Sequence, residues 1–168
     1  MILYFLRHGI AADRDDPKYQ DDSLRPLTDE GLEKMRYVSL GMKKLGLTFD
    51  VILSSPYLRA RQTAEVVAKA YKINNKEIHI TENLLPPASI EELLKEVHTR
   101  FPGAKNILSV GHEPHLSEMI SCLLKSGDPL EIDFKKGGLC CLSIDSLSSA
   151  NASLRWLLTP AQLGLMAR

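Results

Sequence analysis

The sequence predicts a three-layer α/β/α sandwich around a mostly parallel mixed sheet. Short runs dominated by large apolar residues, Ile2-Leu3-Tyr4-Phe5-Leu6, Val51-Ile52-Leu53 and Ile107-Leu108-Ser109-Val110, read as strands buried on both faces. Each is followed by turn residues and then a stretch with helical spacing, the alternation that builds parallel sheets. At 168 residues the chain fits one domain, 1–168, with a sizeable core.

The elements follow in order. After the first strand comes a polar loop, roughly Ile10 to Pro26. Thr28 then caps a helix whose Leu32, Met35, Val38, Met42 and Leu45 share an apolar face. Past the second strand, Ser55 reads as an N-cap and Pro56 as the first helical residue, where its missing N–H costs nothing. Glu77 to Ile80 reads as a short strand. Ser89-Ile90-Glu91-Glu92 has the form of a capping box opening a helix with Leu93, Leu94 and Val97. Beyond the Ile107 strand, Leu116, Met119, Ile120, Leu123 and Leu124 form a buried helical stripe. Leu139 to Ile144 and Ala152 to Leu158 close the sheet as a strand pair.

Composition narrows the function. Lys plus Arg and Asp plus Glu are equal at 21, so no basic surface points to nucleic acid. No stretch is long enough to span a bilayer, and residues 1–6 are too short for a signal peptide and lack a basic leader. The three cysteines form no metal-like pairs. Cys140 and Cys141, adjacent in a strand, should face opposite sides of the sheet, and Cys122 sits on a helix; all three read as small buried apolar residues in a reducing, cytoplasmic setting. His112 and His115 with Glu113 lack the His-Glu-x-x-His order and are interrupted by Pro114, so no metal or cofactor is expected.

Chemistry gathers at the strand ends, where ligands of open α/β sheets bind. Arg7-His8-Gly9 closes the first strand with a phosphate-matching guanidinium, an imidazole able to attack phosphorus, and a glycine. The Leu58-Arg59-Ala60 segment puts Arg59 in the first turns of a helix, whose N-terminus also favours an anion. Gly111-His112 ends the third strand.

In these residues the chain resembles the histidine phosphatase superfamily (phosphoglycerate mutase-like), and within it the phosphohistidine phosphatases of the SixA type. The resemblance is carried by Arg7-His8-Gly9, Arg25-Pro26-Leu27-Thr28-Asp29-Glu30-Gly31, Ser54-Ser55-Pro56 with Leu58-Arg59-Ala60 and Gln62-Thr63, Gly111-His112, and the closing Trp156-to-Leu163 segment. It implies that His8 is the transiently phosphorylated nucleophile and that Arg7, Arg59 and His112 form the phosphate pocket. Arg25 would shape the pocket rim. Glu82 sits roughly where related enzymes place an acidic residue, and Glu113 follows the second histidine, where the acid-phosphatase branch has a proton donor.

Two arginines and a second imidazole can stabilise a transferring phosphoryl group without a metal. The leaving group is the open point. Expelling an alkoxide from an ester requires a general acid, whereas phosphohistidine expels an imidazole that protonates near neutral pH. Glu113 is either that acid or a helix first-turn carboxylate; Glu82 is either an acid or a solvated turn residue. The SixA-type resemblance, together with a chain that has little material for a lid over the site, makes phosphohistidine on a phosphotransfer or phosphocarrier protein the leading substrate, with a small phosphate ester as the alternative. A phosphoprotein-binding domain without turnover is the non-enzyme alternative. Asp13, Asp15, Asp16, Asp21 and Asp22 in the first loop read mainly as solvated; rimming the pocket, they would repel polyanionic metabolites. Lys135-Lys136-Gly137-Gly138 is near enough in sequence to a strand end to reach the phosphate rim, but reads first as a plain turn before the Leu139 strand.

Overall fold

The computed structural model describes residues 1–145 and 152–168. Among them six strands form one sheet: β1 (Ile2–Arg7), β2 (Val51–Ser54), β3 (Ile78–Ile80), β4 (Asn106–Gly111), β5 (Leu139–Ile144) and β6 (Ala152–Leu158). Their order is β3-β2-β4-β1-β5-β6. The first four are mutually parallel, and β5 and β6 run antiparallel at one edge. Five α-helices are found among the described residues: α1 (Asp29–Lys44), α2 (Leu58–Tyr71), α3 (Ile90–Arg100), α4 (His115–Leu123) and α5 (Pro160–Met166).

The strand alternation sorts the core into two layers. Leu3, Phe5, Leu53 and Cys140 face one side, where α3 and α4 bring Leu93, Leu94, Leu116 and Ile120. Tyr4, Leu6, Ile52 and Cys141 face the other, covered by Met35, Val38 and Met42 of α1, Ala60, Ala64 and Val67 of α2, and Leu163 of α5. The expected three-layer sandwich and the opposed cysteines are both present.

Local chemistry sets the helix ends. Thr28 accepts a hydrogen bond from the Gly31 N–H and starts α1, and Ser89 with Glu92 completes the capping box of α3. Gly31 has no alternative: a Cβ there would lie 2.0 Å from the Ile10 carbonyl oxygen. Gly41 is equally constrained, 2.0 Å from the Leu163 oxygen, which lets α1 and α5 touch backbone to backbone.

Three sequence expectations are corrected. α2 begins at Leu58 with Tyr57 at its N-cap, two residues later than Ser55-Pro56 predicts, because the Ser55 hydroxyl is used elsewhere. Leu45 is exposed; it is the C-cap of α1, past the last turn that faces the sheet. Cys122 is exposed rather than buried, its thiol 3.6 Å from Glu91 Oε1. Helix α5 was not anticipated, although Thr159-Pro160-Ala161-Gln162 carries a capping box with proline at its start.

Candidate active site

Parallel pairing brings three chain exits to one level. Leu6 and Ser54 both lie opposite Val110, and Arg7 lies opposite Gly111. His8, Ser55 and His112 are therefore the first residues past the ends of three adjacent strands, β1, β2 and β4. The His8 N–H donates to the Gly111 carbonyl (3.1 Å) and the Ser55 N–H to that of Val110 (3.0 Å), which fixes the exits to one another. Arg59, in the first turn of α2, reaches into the same space. His8, Arg59 and His112 are all buried, at 6%, 5% and 7% exposure.

The protonation of His8 follows from its neighbours. Its Nδ1 lies 2.7 Å from the Gly9 carbonyl oxygen, which can only accept, so Nδ1 carries the proton and Nε2 keeps its lone pair. Arg59 Nε donates to that Nε2 at 3.3 Å. Burial above all, then His112, Arg59 and Arg7, push the imidazole pKa down to about 2 despite the Gly9 hydrogen bond. His8 is thus a neutral imidazole at physiological pH. The turn that holds it is clipped to α2: the Gly9 N–H donates to Thr63 Oγ1 (3.1 Å), and the Thr63 hydroxyl donates to the Arg59 carbonyl (2.7 Å).

His112 has the opposite arrangement. Its Nε2 is 2.7 Å from Ser55 Oγ, which itself accepts from the Tyr57 N–H at 3.3 Å. Ser55 is fully buried, and its hydroxyl proton has no other acceptor among the described residues. That proton therefore points at Nε2 and leaves His112 protonated on Nδ1. Nδ1 is buried without a hydrogen-bond partner among the described residues, as is Arg7 Nε. Both are donors of the kind a phosphoryl oxygen satisfies. Burial, followed by the Arg59 charge, lowers the His112 pKa to about 3. The two imidazole rings stand 5.1 Å apart.

The Lys135-to-Gly138 turn grips the first strand's exit. The Gly137 N–H donates to the carbonyls of Arg7 (3.0 Å) and His8 (3.1 Å), and the Arg7 N–H donates to the Gly138 carbonyl (3.1 Å). Gly137 adopts a φ of 82°, which glycine alone accepts without strain. Arg7 Nη1 donates to the Phe134 carbonyl. Lys135 pairs with Asp133 at 2.9 Å.

The rim comes from the first loop. Asp22 Oδ1 accepts from Arg25 Nε (2.8 Å) and pairs with Nη2 (2.7 Å), while Oδ2 accepts from Arg59 Nη2 (2.9 Å). Arg59 Nη1 also donates to the Asp22 carbonyl at 2.7 Å. Arg25 Nη1 donates to the Ala12 carbonyl (2.6 Å), so Arg25 ties the loop together behind Asp22. Partial burial raises the Asp22 pKa, but hydrogen bonds from Arg25 and Arg59 outweigh it and hold the carboxyl below its ordinary value. Sequence reasoning did not single out Asp22 from its neighbours; its position three residues before Arg25 was the available signal. Ser55, which the sequence reads as a cap, instead follows the end of the strand flanking that of His112 and bonds the imidazole.

The two acidic candidates lie differently. Both Glu113 oxygens accept from Ser117, from its N–H (3.1 Å) and its hydroxyl (2.6 Å), so the carboxylate caps the first turn of α4. Glu82 opens a 3-10 turn after β3 and is exposed. Two strands, β2 and β4, separate β3 from β1, a backbone span of about 14 Å at the usual strand spacing. Among the described residues no group of three or more His, Cys, Asp or Glu side chains is placed to hold a metal ion.

Comparison with known proteins agrees with this geometry. The family model of the histidine phosphatase superfamily (branch 1) matches residues 3–85. An uncharacterized protein of a Picosynechococcus strain is 40% identical over 141 residues, 83% of this chain and 82% of its own. Phosphohistidine phosphatase SixA of Escherichia coli K12 is 25% identical over 97% of this chain and 96% of its own. A solved structure of the protein histidine phosphatase SixA with tungstate superposes with a TM-score of 0.82 at 25% identity, covering 97% of this chain and 99% of that one. With its Arg-His-Gly strand end, facing histidine and helix arginine in this frame, and its similarity to SixA, the chain belongs to the histidine phosphatase superfamily.

Proposed function

We propose that this phosphatase works through a covalent intermediate on His8 and that its substrate is phosphohistidine presented by a phosphotransfer or phosphocarrier protein. The observation that carries the reading is the state of His8: a neutral imidazole with its proton tied to Gly9 and Nε2 free of protons, among two arginines and a second imidazole.

In the first step the Arg59 Nε hydrogen bond moves from His8 Nε2 to a phosphoryl oxygen, and Nε2 attacks phosphorus. Arg7, Arg59 and the His112 Nδ1–H stabilise the charge spread over the equatorial oxygens. The bond to the substrate's ring nitrogen breaks, and with the other ring nitrogen protonated the imidazole departs neutral. In the second step water attacks the phosphorus, the P–Nε2 bond breaks, and the electron pair returns to Nε2. Because Gly9 keeps a proton on Nδ1, His8 also departs as neutral imidazole; the proton from water goes to phosphate or solvent. Neither step calls on a protein acid.

The alternative, a broader phosphomonoesterase, needs Glu113 or Glu82 as that acid. The paired bonds from Ser117 to Glu113 support the phosphoramidate reading over it. A cytoplasmic setting is part of the proposal, supported by the three unpaired cysteines.

The test is phosphate release from a phosphohistidine protein and from an aryl phosphate, side by side. Strong preference for phosphohistidine supports the proposal. Equal or better ester hydrolysis supports the phosphomonoesterase, and binding without release from either supports a phosphoprotein-binding domain.

A further inference from the structure

Arg59 offers its guanidinium fork to the transferring phosphoryl group in the reading above, and the inference here rests on that role. Yet both Nη atoms already have acceptors in the protein itself: Nη2 donates to the Asp22 carboxylate at 2.9 Å and Nη1 to the Asp22 carbonyl at 2.7 Å. The Asp22 side chain is 35% exposed where that of Arg59 is 6%. Asp22 therefore lies on the solvent side of Arg59.

The surrounding charge is closely limited. Arg7, Arg25 and Arg59 are the cations of the pocket and its rim, and both histidines are neutral. Against them stand Asp22, Glu113 and Asp133, the last two close enough for their charges to act on Arg7. A second anionic group on the carrier meets the Asp22 carboxylate at the rim. Of the neighbouring lysines, Lys135 pairs with Asp133 and Lys136 is exposed.

The other loop aspartates do not share this position. Asp13, Asp16 and Asp21 accept from backbone N–H groups two residues on, and Asp13, Asp15 and Asp21 are exposed, where solvent and salt screen them. Asp22 is held partly out of water between two arginines, and its charge is screened less.

We infer that Asp22 sets the charge of the carrier this site accepts. It admits phosphoryl groups on uncharged or cationic carriers, such as an imidazole side chain, and disfavours phosphate esters whose carrier bears a further carboxylate or phosphate.

The experiment compares the native protein with Asp22→Asn, which keeps a hydrogen-bond acceptor and removes the charge. The substrates are p-nitrophenyl phosphate, with an uncharged carrier, and 3-phosphoglycerate, with a carboxylate. The ratio of kcat/KM for 3-phosphoglycerate to that for the aryl ester should rise by about ten-fold or more in Asp22→Asn. A role confined to holding Arg59 would lower both values together and leave the ratio unchanged, which overturns the inference. Calorimetric binding of inorganic phosphate and 3-phosphoglycerate gives the same comparison without turnover: the gap between them should narrow in Asp22→Asn, and an unchanged gap counts against the charge filter. A protein that ignores phosphohistidine but shows the shifted ratio would sink the substrate proposal and leave the role of Asp22 standing.

Discussion

The inner wall and the outer rim of the site are built by different means. The inner wall, His8, His112, Ser55 and Arg59, sits on three adjacent parallel strand ends and one helix turn, each locked by backbone hydrogen bonds. The rim, Asp22 and Arg25, sits on a loop whose main regular piece is the 3-10 turn Asp22–Leu24. The wall gives each histidine one defined protonation state; the rim supplies an ion pair facing solvent. The contrast implies that changes to the wall alter the rate for every substrate, whereas changes to the rim alter which substrates are taken.

The sharpest attack on that contrast is at the wall's centre. His8→Ala should lower turnover of any phosphorylated substrate by at least about 10³-fold, measured by phosphate release; activity near the native level would remove His8 from the mechanism. Arg59→Ala should cost about 10²- to 10³-fold in kcat and also raise KM, since its charge serves bound phosphate and transition state alike.

Ser55→Ala tests the finer claim that the wall fixes protonation. It should lower kcat about ten-fold for phosphohistidine and aryl substrates equally, because His112 loses the partner that keeps its proton on Nδ1. The nitrogen chemical shifts of His112 should report an Nδ1–H imidazole in the native protein. An Nε2–H imidazole would contradict the Ser55 assignment.

Acid provides a smaller, graded test. His8 and His112 have pKa values near 2 and 3 in the fold against about 6.5 unfolded. Between those limits the unfolded chain binds more protons, so the two histidines' contribution is complete above about pH 6.5 and is lost as pH falls toward 3. Urea denaturation from pH 7 to 4 should show stability falling by on the order of 1 kcal/mol per pH unit for each histidine, with a shallower slope in His8→Ala. Equal slopes would show that burial does not hold His8 neutral.

At the far end of the scale, Glu113→Gln should change phosphohistidine turnover by less than about three-fold while reducing stability by up to about 1 kcal/mol through a weakened α4 start. A large loss of ester hydrolysis alone would restore Glu113 as an acid.

Legibility in the sequence divides along the same line. The strand-end motifs announce themselves because Arg7-His8-Gly9 and Gly111-His112 follow apolar runs whose parallel pairing is forced by the alternation of strands and helices. The capped helices α1 and α3 are equally plain. What the sequence conceals are contacts between distant segments. Nothing local says that Ser55 faces His112 rather than capping α2, that Thr63 clips Gly9, or that Asp22 among five aspartates turns inward onto Arg59. These depend on register between strands and on the path of a 17-residue loop. The exposed Cys122 belongs to the same class, since helix periodicity alone does not fix where a neighbouring element ends.

The most direct test of the central claim is to trap the intermediate. The protein is mixed with a phosphorylated substrate, quenched in alkali, which preserves phosphohistidine, and examined by mass spectrometry. The account predicts one phosphoryl group on His8, attached at Nε2, and none in His8→Ala. Phosphate turnover without any label on His8, or a label that persists in His8→Ala, would contradict it.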